Sequence, residues 1–295
     1  MYPYDLHCHS DYSDGDYNVT TVFERAKKAG LKGVVLTDHN SIGHFDQAIS
    51  EAARLGLWTC QGIEITSQHQ GIDIHILGYS KKFEGGLLAE AIEPIRKGYE
   101  QRAIKIVEKL KRHTDYTIDF NKLLKRRQGK LVTRYNIVQE LMTRHDLDLK
   151  EAQKLIGRSG PAWLPYGDWV PKPQQVVDLI HRAGGIAVLG HPGDVKRSSH
   201  NTEQVKEIVV SLVKQLTVGG LDGLEVRHSS HSKSDVTHFI ELAKSHNLAI
   251  TGGSDWHGEI HHPEISLGQT GLVEDEFTGF LTYLDKKAGH NVVAS

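Results

Sequence analysis

His7 and His9 stand two residues apart in Asp5-Leu6-His7-Cys8-His9-Ser10-Asp11, at the end of a short apolar run. Alternate side chains of a strand share a face, so the two imidazoles project together and Cys8 projects away. Neighbouring imidazoles are poor core packing and a good grip on a metal. More candidate ligands follow. Asp14 comes at once, with Asp11 as its competitor. His39 lies in Thr37-Asp38-His39-Asn40, Glu64 in Gly62-Ile63-Glu64-Ile65 and His75 in Ile72-Asp73-Ile74-His75-Ile76. His191 lies in Leu189-Gly190-His191-Pro192-Gly193, and Asp255 and His257 lie in Ser254-Asp255-Trp256-His257. Each histidine taken singly reads as a core or surface residue. Their recurrence at the ends of successive apolar runs reads as a metal cluster. The mixed nitrogen and oxygen donors suit Mn, Fe or Zn better than Mg or Ca.

Such a cluster needs elements that converge. The hydrophobic pattern alternates strand and helix. Strands are expected at 4–8, 33–37, 57–65, 72–79, 185–189, 221–226 and 248–251. Helices are expected at 19–29, 42–55, 174–182, 205–216 and 235–245, with Gly30 and Gly56 ending the first two. The strands at 57–65 and 72–79 read as an antiparallel hairpin. The repeated units predict an α/β protein with a mostly parallel, closed or nearly closed sheet, whose strand ends gather the ligands. Strand patterns vanish between 99 and 165. Helical patterns at 103–113, 120–126, 137–143 and 149–156 predict a small helical insertion, dividing a barrel made of 1–98 and 166–295. The first part of the insertion is basic and reads mostly as a solvated face. Lys130 and Arg134 differ, because they flank Leu131-Val132 at a helix start, where a phosphate binds well.

Composition narrows the classes. The chain has 295 residues and a formal net charge of -2, so it is no general polyanion binder and no duplex DNA partner is expected. Histidine is over-represented at 19 residues. The 2 cysteines, Cys8 and Cys60, read as reduced core residues. No stretch has the length of a membrane span and no secretory leader is recognised, so a cytoplasmic protein without a membrane partner is expected.

The segments His7-Cys8-His9, Thr37-Asp38-His39, Gly62-Ile63-Glu64, His75, Gly190-His191-Pro192 and Ser254-Asp255-Trp256-His257 resemble, in order, the motifs of the PHP (polymerase and histidinol phosphatase) metal-dependent phosphoesterases. The resemblance implies a distorted (β/α)7 barrel with two or three divalent cations. By resemblance, His7, His9, Glu64 and Asp255 hold the first, and Asp14, His39 and His257 the second. Glu64, His75 and His191 hold the third, with Glu64 bridging. The family often has histidine where this chain has Asp14. Cations so held activate a water for in-line attack on phosphorus and neutralise the phosphoryl oxygens. Asp38 reads as an orienter of its neighbours, and Asp38 and His191 are the candidates for protonating the leaving group. Absence of a Gly-x-x-x-x-Gly-Lys loop fits hydrolysis of a bound ester.

Ala162-Trp163-Leu164-Pro165, the run from Ala183 to Gly193 and Gly252-Gly253-Ser254-Asp255 look most like the small bacterial branch acting on nucleotide 3',5'-bisphosphates and short RNA 5' ends. That implies removal of the 3'-phosphate of a small nucleotide such as pAp. The alternatives are 5'-to-3' trimming of short RNA, a histidinol-phosphate-type phosphatase, and a non-catalytic metal-binding module. The expected partner is a small nucleotide or short oligoribonucleotide. Substrate contacts are expected from Arg134, Lys130, Arg197, Arg227 and His231. Asn136 stands where the family's Arg-x-His segment has histidine. Trp163, Tyr166 and Trp169 read as packing, with base stacking as the alternative.

Overall fold

The computed structural model describes residues 1–197, 202–260 and 262–290, leaving out the side chains of 195–197, 202–206 and 287–290. Its strands are β1 (Tyr4–Cys8), β2 (Gly33–Leu36), β3 (Gln61–His69), β4 (Ile72–Ser80), β5 (Ile186–Leu189), β6 (Gly223–His228) and β7 (Ala249–Gly253). The helices are α1 (Val19–Lys28), α2 (Phe45–Leu55), α3 (Gly85–His113), α4 (Phe120–Arg127), α5 (Arg134–His145), α6 (Leu149–Ile156), α7 (Pro173–Arg182), α8 (Thr202–Val218), α9 (Lys233–Ser245) and α10 (Glu274–His290).

The short strands β1, β2 and β5 are buried along their whole length, which explains their unbroken apolar character. The helices start on local signals. Asn18 Oδ1 accepts from Thr21 N at 2.9 Å to open α1, and Pro173 occupies the first turn of α7. α2 begins at Phe45, not at residue 42 as expected, because the preceding residues belong to the site loop: Asn40 is left-handed, with φ 45°, and its N–H donates to Glu64 O. β3 begins at Gln61 rather than 57, and Trp58 makes only an isolated bridge to Gly33.

β1 and β2 form one parallel pair, and β3-β4-β5-β6-β7 form a second sheet in that order. β4 runs antiparallel to both β3 and β5, while the remaining pairs are parallel. Single bridges join the two sheets, His39 with Glu64 on one side and Cys8 with Trp256 on the other. The strands thus follow one another round a distorted barrel whose ladder is continuous only within each sheet. Where β7 meets β1 the backbones nearly touch. A Cβ added to Gly253 would lie 2.3 Å from His7 N.

Three apolar clusters pack helices on the barrel, and a fourth lies among 103–162, centred on Ile106, Leu110, Ile137 and Leu141. The single helix α3 crosses between two of these. Leu88, Ile92, Ile95 and Tyr99 pack on the barrel, and Ala103, Ile106 and Leu110 pack in the helical cluster. Several cations expected on a solvated face instead clamp backbone carbonyls. Arg127 donates to Asp11 O, Ser13 O and Leu131 O, Arg96 to Asn40 O and Gly129 O, and Arg102 to Leu164 O. A guanidinium presents several donors in a fixed fork, so one side chain holds two loops together. Among the described residues no helix is long and apolar enough to cross a membrane.

The β7–β1 approach generates a prediction. Gly253→Ala forces a methyl against the His7 backbone and should cost about 1–3 kcal/mol of stability. A chemical denaturation midpoint equal to that of the parent chain would show that the strands are not in tight contact.

Candidate metal centre

Every residue expected as a ligand comes to one end of the barrel. His7 and His9 lie side by side, with ring centroids 5.3 Å apart. Glu64 stands at the middle. Its Oε2 is 3.3 Å from His7 Nε2, 3.2 Å from His9 Nε2 and 3.0 Å from His39 Nδ1. Its Oε1 is 2.6 Å from His75 Nδ1 and 2.9 Å from His191 Nε2. Asp255 Oδ1 is 3.2 Å from His7 Nε2 and 3.1 Å from His9 Nε2. Asp14 lies 3.4 Å from His257 Nε2 and 3.8 Å from His39 Nε2. Ligand atoms of His7, His9, Glu64 and Asp255 lie within 4.8 Å of one another, and the same holds for His9, Asp14, His39 and His257, and for His39, Glu64 and His75. Asp11, the competitor of Asp14, is instead paired with Lys130 at 2.6 Å.

The position of the ligands along the strands departs from expectation in two places. Glu64 and His75 lie within the nine-residue strands β3 and β4, not at their ends. The long hairpin overshoots the rim of the barrel, so its middle is level with the ends of the short strands. The loops are also held in unusual conformations. His191 has φ 22° and Asp255 φ 55°, values that cost a non-glycine residue about 1–3 kcal/mol. Asp255 N donates to His7 O at 2.8 Å, and His191 N donates to Glu225 Oε2 at 2.7 Å, and these bonds hold the two turns.

Three buried groups lie behind the candidate ligands, and only Glu225 among them went unread in the sequence. Asp38 accepts from Ser10 N, Ser10 Oγ and Ser13 Oγ at 2.9, 2.6 and 2.6 Å, and lies 3.2 Å from His44 Nδ1. Its carboxylate is thus occupied by the 10–13 loop and does not join the ligands. Ser13 Oγ lies 3.4 Å from His9 Nδ1, so Asp38 reaches His9 only through that hydroxyl. Glu225 is fully buried, with Oε1 2.9 Å from His7 Nδ1. His228 Nε2 is 3.2 Å from Asp255 Oδ2. Regular strand alternation does not put residues 225 and 228 on one face.

The proton balance of the cluster follows from burial against charge. Burial pushes Glu64, Asp14 and Asp255 up, yet the surrounding histidines hold all three well below the usual carboxylate range. Burial opposes protonation of His9, but Asp255 and Glu64 raise it to about 10. His191 rises to about 9 against the same opposition, chiefly through its bond to Glu64. In His39 burial wins, and its pKa falls to about 4. His9 Nε2, His39 Nδ1 and Asp255 Oδ1 are buried without a well-formed hydrogen bond, although other polar atoms lie about 3 Å away. Buried polar atoms are normally satisfied. Carboxylate and imidazole atoms so crowded, several of them left without a hydrogen bond, fit donors aimed at shared divalent cations.

The residues expected to touch substrate divide differently. Arg134 opens α5, is exposed, and its side chain makes no hydrogen bond or ion pair among the described residues. Asn136, where the family has histidine, is buried and caps α5, its Oδ1 accepting from Thr133 N at 2.8 Å. Lys130 is occupied by Asp11. Arg227 is not on the site rim: it grips Glu276 of α10 through Nε and Nη2 and lies over the Tyr2 ring. His231 spends both ring nitrogens internally, Nδ1 on Val226 O at 3.0 Å and Nε2 as acceptor from Gly193 N at 3.1 Å. The side chain of Arg197 lies outside the described residues. Tyr166 and Trp169 pack against each other and Tyr99, with centroids 5.4–5.5 Å apart.

A distorted α/β barrel carrying such a His and carboxylate cluster at one end defines a class, the metal-dependent phosphoesterases. The chain belongs to the PHP domain family, whose model matches residues 5–229. It is 29% identical over 257 residues to a 5'-3' exoribonuclease of Haemophilus influenzae, covering 86% of this chain and 89% of that protein. It is 27% identical over 255 residues to a 3',5'-nucleoside bisphosphate phosphatase of Chromobacterium violaceum, covering 86% of each. A solved structure of a candidate metal-dependent phosphoesterase from Bifidobacterium adolescentis superposes with a TM-score of 0.82 at 25% identity, covering 96% of each chain. This protein is accordingly a hydrolase of phosphoric esters that binds divalent metal.

Protons compete with metal at this centre. His9 and His191 titrate near 10 and 9 in the metal-free chain, so both carry protons at pH 7 that cation binding must displace. Calorimetric titration of metal-free protein with Mn²⁺ in two buffers of different ionisation enthalpy should show net proton release, and affinity should rise with pH from about 6 to 9. Affinity that is flat or falls over that range would contradict this charge state.

Proposed function

We propose that this chain removes the 3'-phosphate of a nucleoside 3',5'-bisphosphate such as pAp, using two or three cations of the Mn, Fe or Zn type. The observation that carries the reading is the division of Glu64, one oxygen facing His7, His9 and His39 and the other facing His75 and His191. A carboxylate so placed would be shared between adjacent cations. His7, His9, Glu64 and Asp255 would hold one, Asp14, His39 and His257 a second, and Glu64, His75 and His191 a third. When bound, such cations acidify the attacking water and neutralise charge on the phosphoryl oxygens. The chain's own residues do the rest. Glu64 sets the spacing between the two groups of imidazoles. Asp255 holds its Oδ1 toward His7 and His9. Asp38 orients the loop beneath His9 and is too enclosed to hand a proton to a leaving oxygen. His191, with Nε2 on Glu64, serves as a ligand in this reading and not as the proton donor.

The choice of a bisphosphate rests on Arg134. Its unpaired guanidinium is free to hold a second, non-scissile phosphate by two parallel charge-assisted bonds. The likeness to the Chromobacterium violaceum bisphosphate phosphatase supports this substrate. A second reading, 5'-to-3' hydrolysis of short RNA by the same chemistry, is supported by the likeness to the Haemophilus influenzae exoribonuclease. The free buried thiols of Cys8 and Cys60 fit work in the reducing cytoplasm.

Two substitutions test the reading on pAp, a 5'-phosphorylated oligoribonucleotide and histidinol phosphate. His9→Ala should lose metal and turnover on every substrate. Arg134→Ala should retain metal and lose about 2–4 kcal/mol in kcat/KM on pAp, with little loss on a substrate carrying only the scissile phosphate. Faster turnover of the oligoribonucleotide would favour the second reading. Equal damage by Arg134→Ala to mono- and bisphosphate substrates would remove Arg134 from the specificity site.

A further inference from the structure

None of the expected ligands lies on β6, yet the end of β6 touches three of them. Glu225 Oε1 is 2.9 Å from His7 Nδ1, and Glu225 Oε2 accepts from His191 N at 2.7 Å. His228 Nε2 is 3.2 Å from Asp255 Oδ2, and His228 Nδ1 accepts from Ser230 N at 3.2 Å. A one-residue bulge makes this arrangement. Glu225 pairs with Thr251 and Arg227 with Gly252, so Val226 is an extra residue in β6. Regular alternation would put Glu225 and Arg227 on one face. With the bulge, Glu225 and His228 both reach the cluster, and Arg227 leaves for Glu276.

Glu225 has no arginine or lysine partner among the described residues and is fully sealed from solvent. A buried carboxylate is costly unless its oxygens are used. Here each oxygen serves a different ligand-bearing element, β1 and the turn after β5. A carboxylate only accepts, so His7 Nδ1 donates to Glu225 Oε1, which leaves Nε2, facing Glu64 and Asp255, as the ring nitrogen that can give its lone pair to a cation. The second oxygen holds the peptide of His191 at its left-handed φ of 22°.

We propose that Glu225 is a positioning residue for the metal centre: it sets the tautomer of His7 and locks the His191 turn, so that cation affinity depends on a residue outside the ligand set given above. The proposal rests on the metal-centre reading above. Glutamine at 225 has one acceptor where glutamate has two. It must turn its NH₂ either toward His7, forcing the proton to Nε2, or toward the N–H of His191.

Two measurements on the full chain test this. In metal-free wild-type protein, ¹⁵N spectra of the His7 ring should show a protonated Nδ1. Mn²⁺ titration of metal-free Glu225→Gln should show affinity reduced about 10–100-fold against wild type. At saturating Mn²⁺ the variant should recover kcat, with KM for the phosphoester near the wild-type value, a rescue that general misfolding would not give. Glu225→Asp, which keeps both acceptors, should lose less affinity than Glu225→Gln. Mn²⁺ affinity of Glu225→Gln within twofold of wild type overturns the proposal, and so does a wild-type His7 protonated only on Nε2. Wild-type protein that takes up no Mn²⁺ overturns the metal-centre reading and this proposal with it. The His7 tautomer is read without any variant, so the test decides even if Glu225→Gln fails to fold.

Discussion

A single buried carboxylate in contact with five histidines organises this molecule. Glu64 on β3 meets His7 on β1, His9 just beyond it, His39 from beyond β2, His75 from β4 and His191 from beyond β5. No apolar core accepts such a group without charged partners, because ionising an isolated buried carboxylate costs far more than one folded domain can spare. The strands must therefore end, or pass, at one level. The incomplete ladder follows from this demand. β1 and β2 join the rest of the sheet through isolated bridges at His39–Glu64 and Cys8–Trp256, both of which sit in the site. Backbone hydrogen bonding round the ring is lowest where the side chains do the most work.

The surrounding structure holds that arrangement against strain. His191 and Asp255 lie in the left-handed region, and bonds from Glu225 and the His7 carbonyl keep them there. Asp38 ties the 10–13 loop to the end of β2 through Ser10 and Ser13. Arg127 reaches the same loop from the end of α4 and accounts for the carbonyls of Asp11 and Ser13. The helices between β4 and β5 are thereby coupled to the site by polar clamps as well as by the shared helix α3. Arg134, alone among the five residues expected to contact substrate, keeps a described guanidinium or imidazole free of partners, which is why it carries the argument on the second phosphate.

The candidate ligands were legible in the residue types because metal chemistry admits few side chains and β-structure spaces them by two. His7-x-His9 and Asp255-x-His257 announce themselves without coordinates. So do the apolar strands, since a strand buried on both faces must be apolar throughout. The alternation of strand and helix was enough for the barrel class, and two apolar runs separated by a short polar segment were enough for the β3–β4 hairpin, whose turn is Gln70-Gly71.

Other features depended on the tertiary structure. The bulge at Val226 shifts the facing of β6 by one residue, whereas a strand expected to end at 226 put Arg227 and His231 on the rim and gave Glu225 no role. A bulge is a property of pairing with β7, and no residue in β6 marks it. The basic residues of 96–127 look solvated in one dimension because their partners, the carbonyls of 11, 13, 40 and 164, are distant in sequence and identical in every residue type. Asp38 looked like a proton donor for the same reason: the serines that enclose it lie 25 and 28 residues away. Side-chain chemistry picked out the candidate ligands, and long-range backbone geometry decided which neighbours face them, because facing is set by strand register and register belongs to the pair of strands.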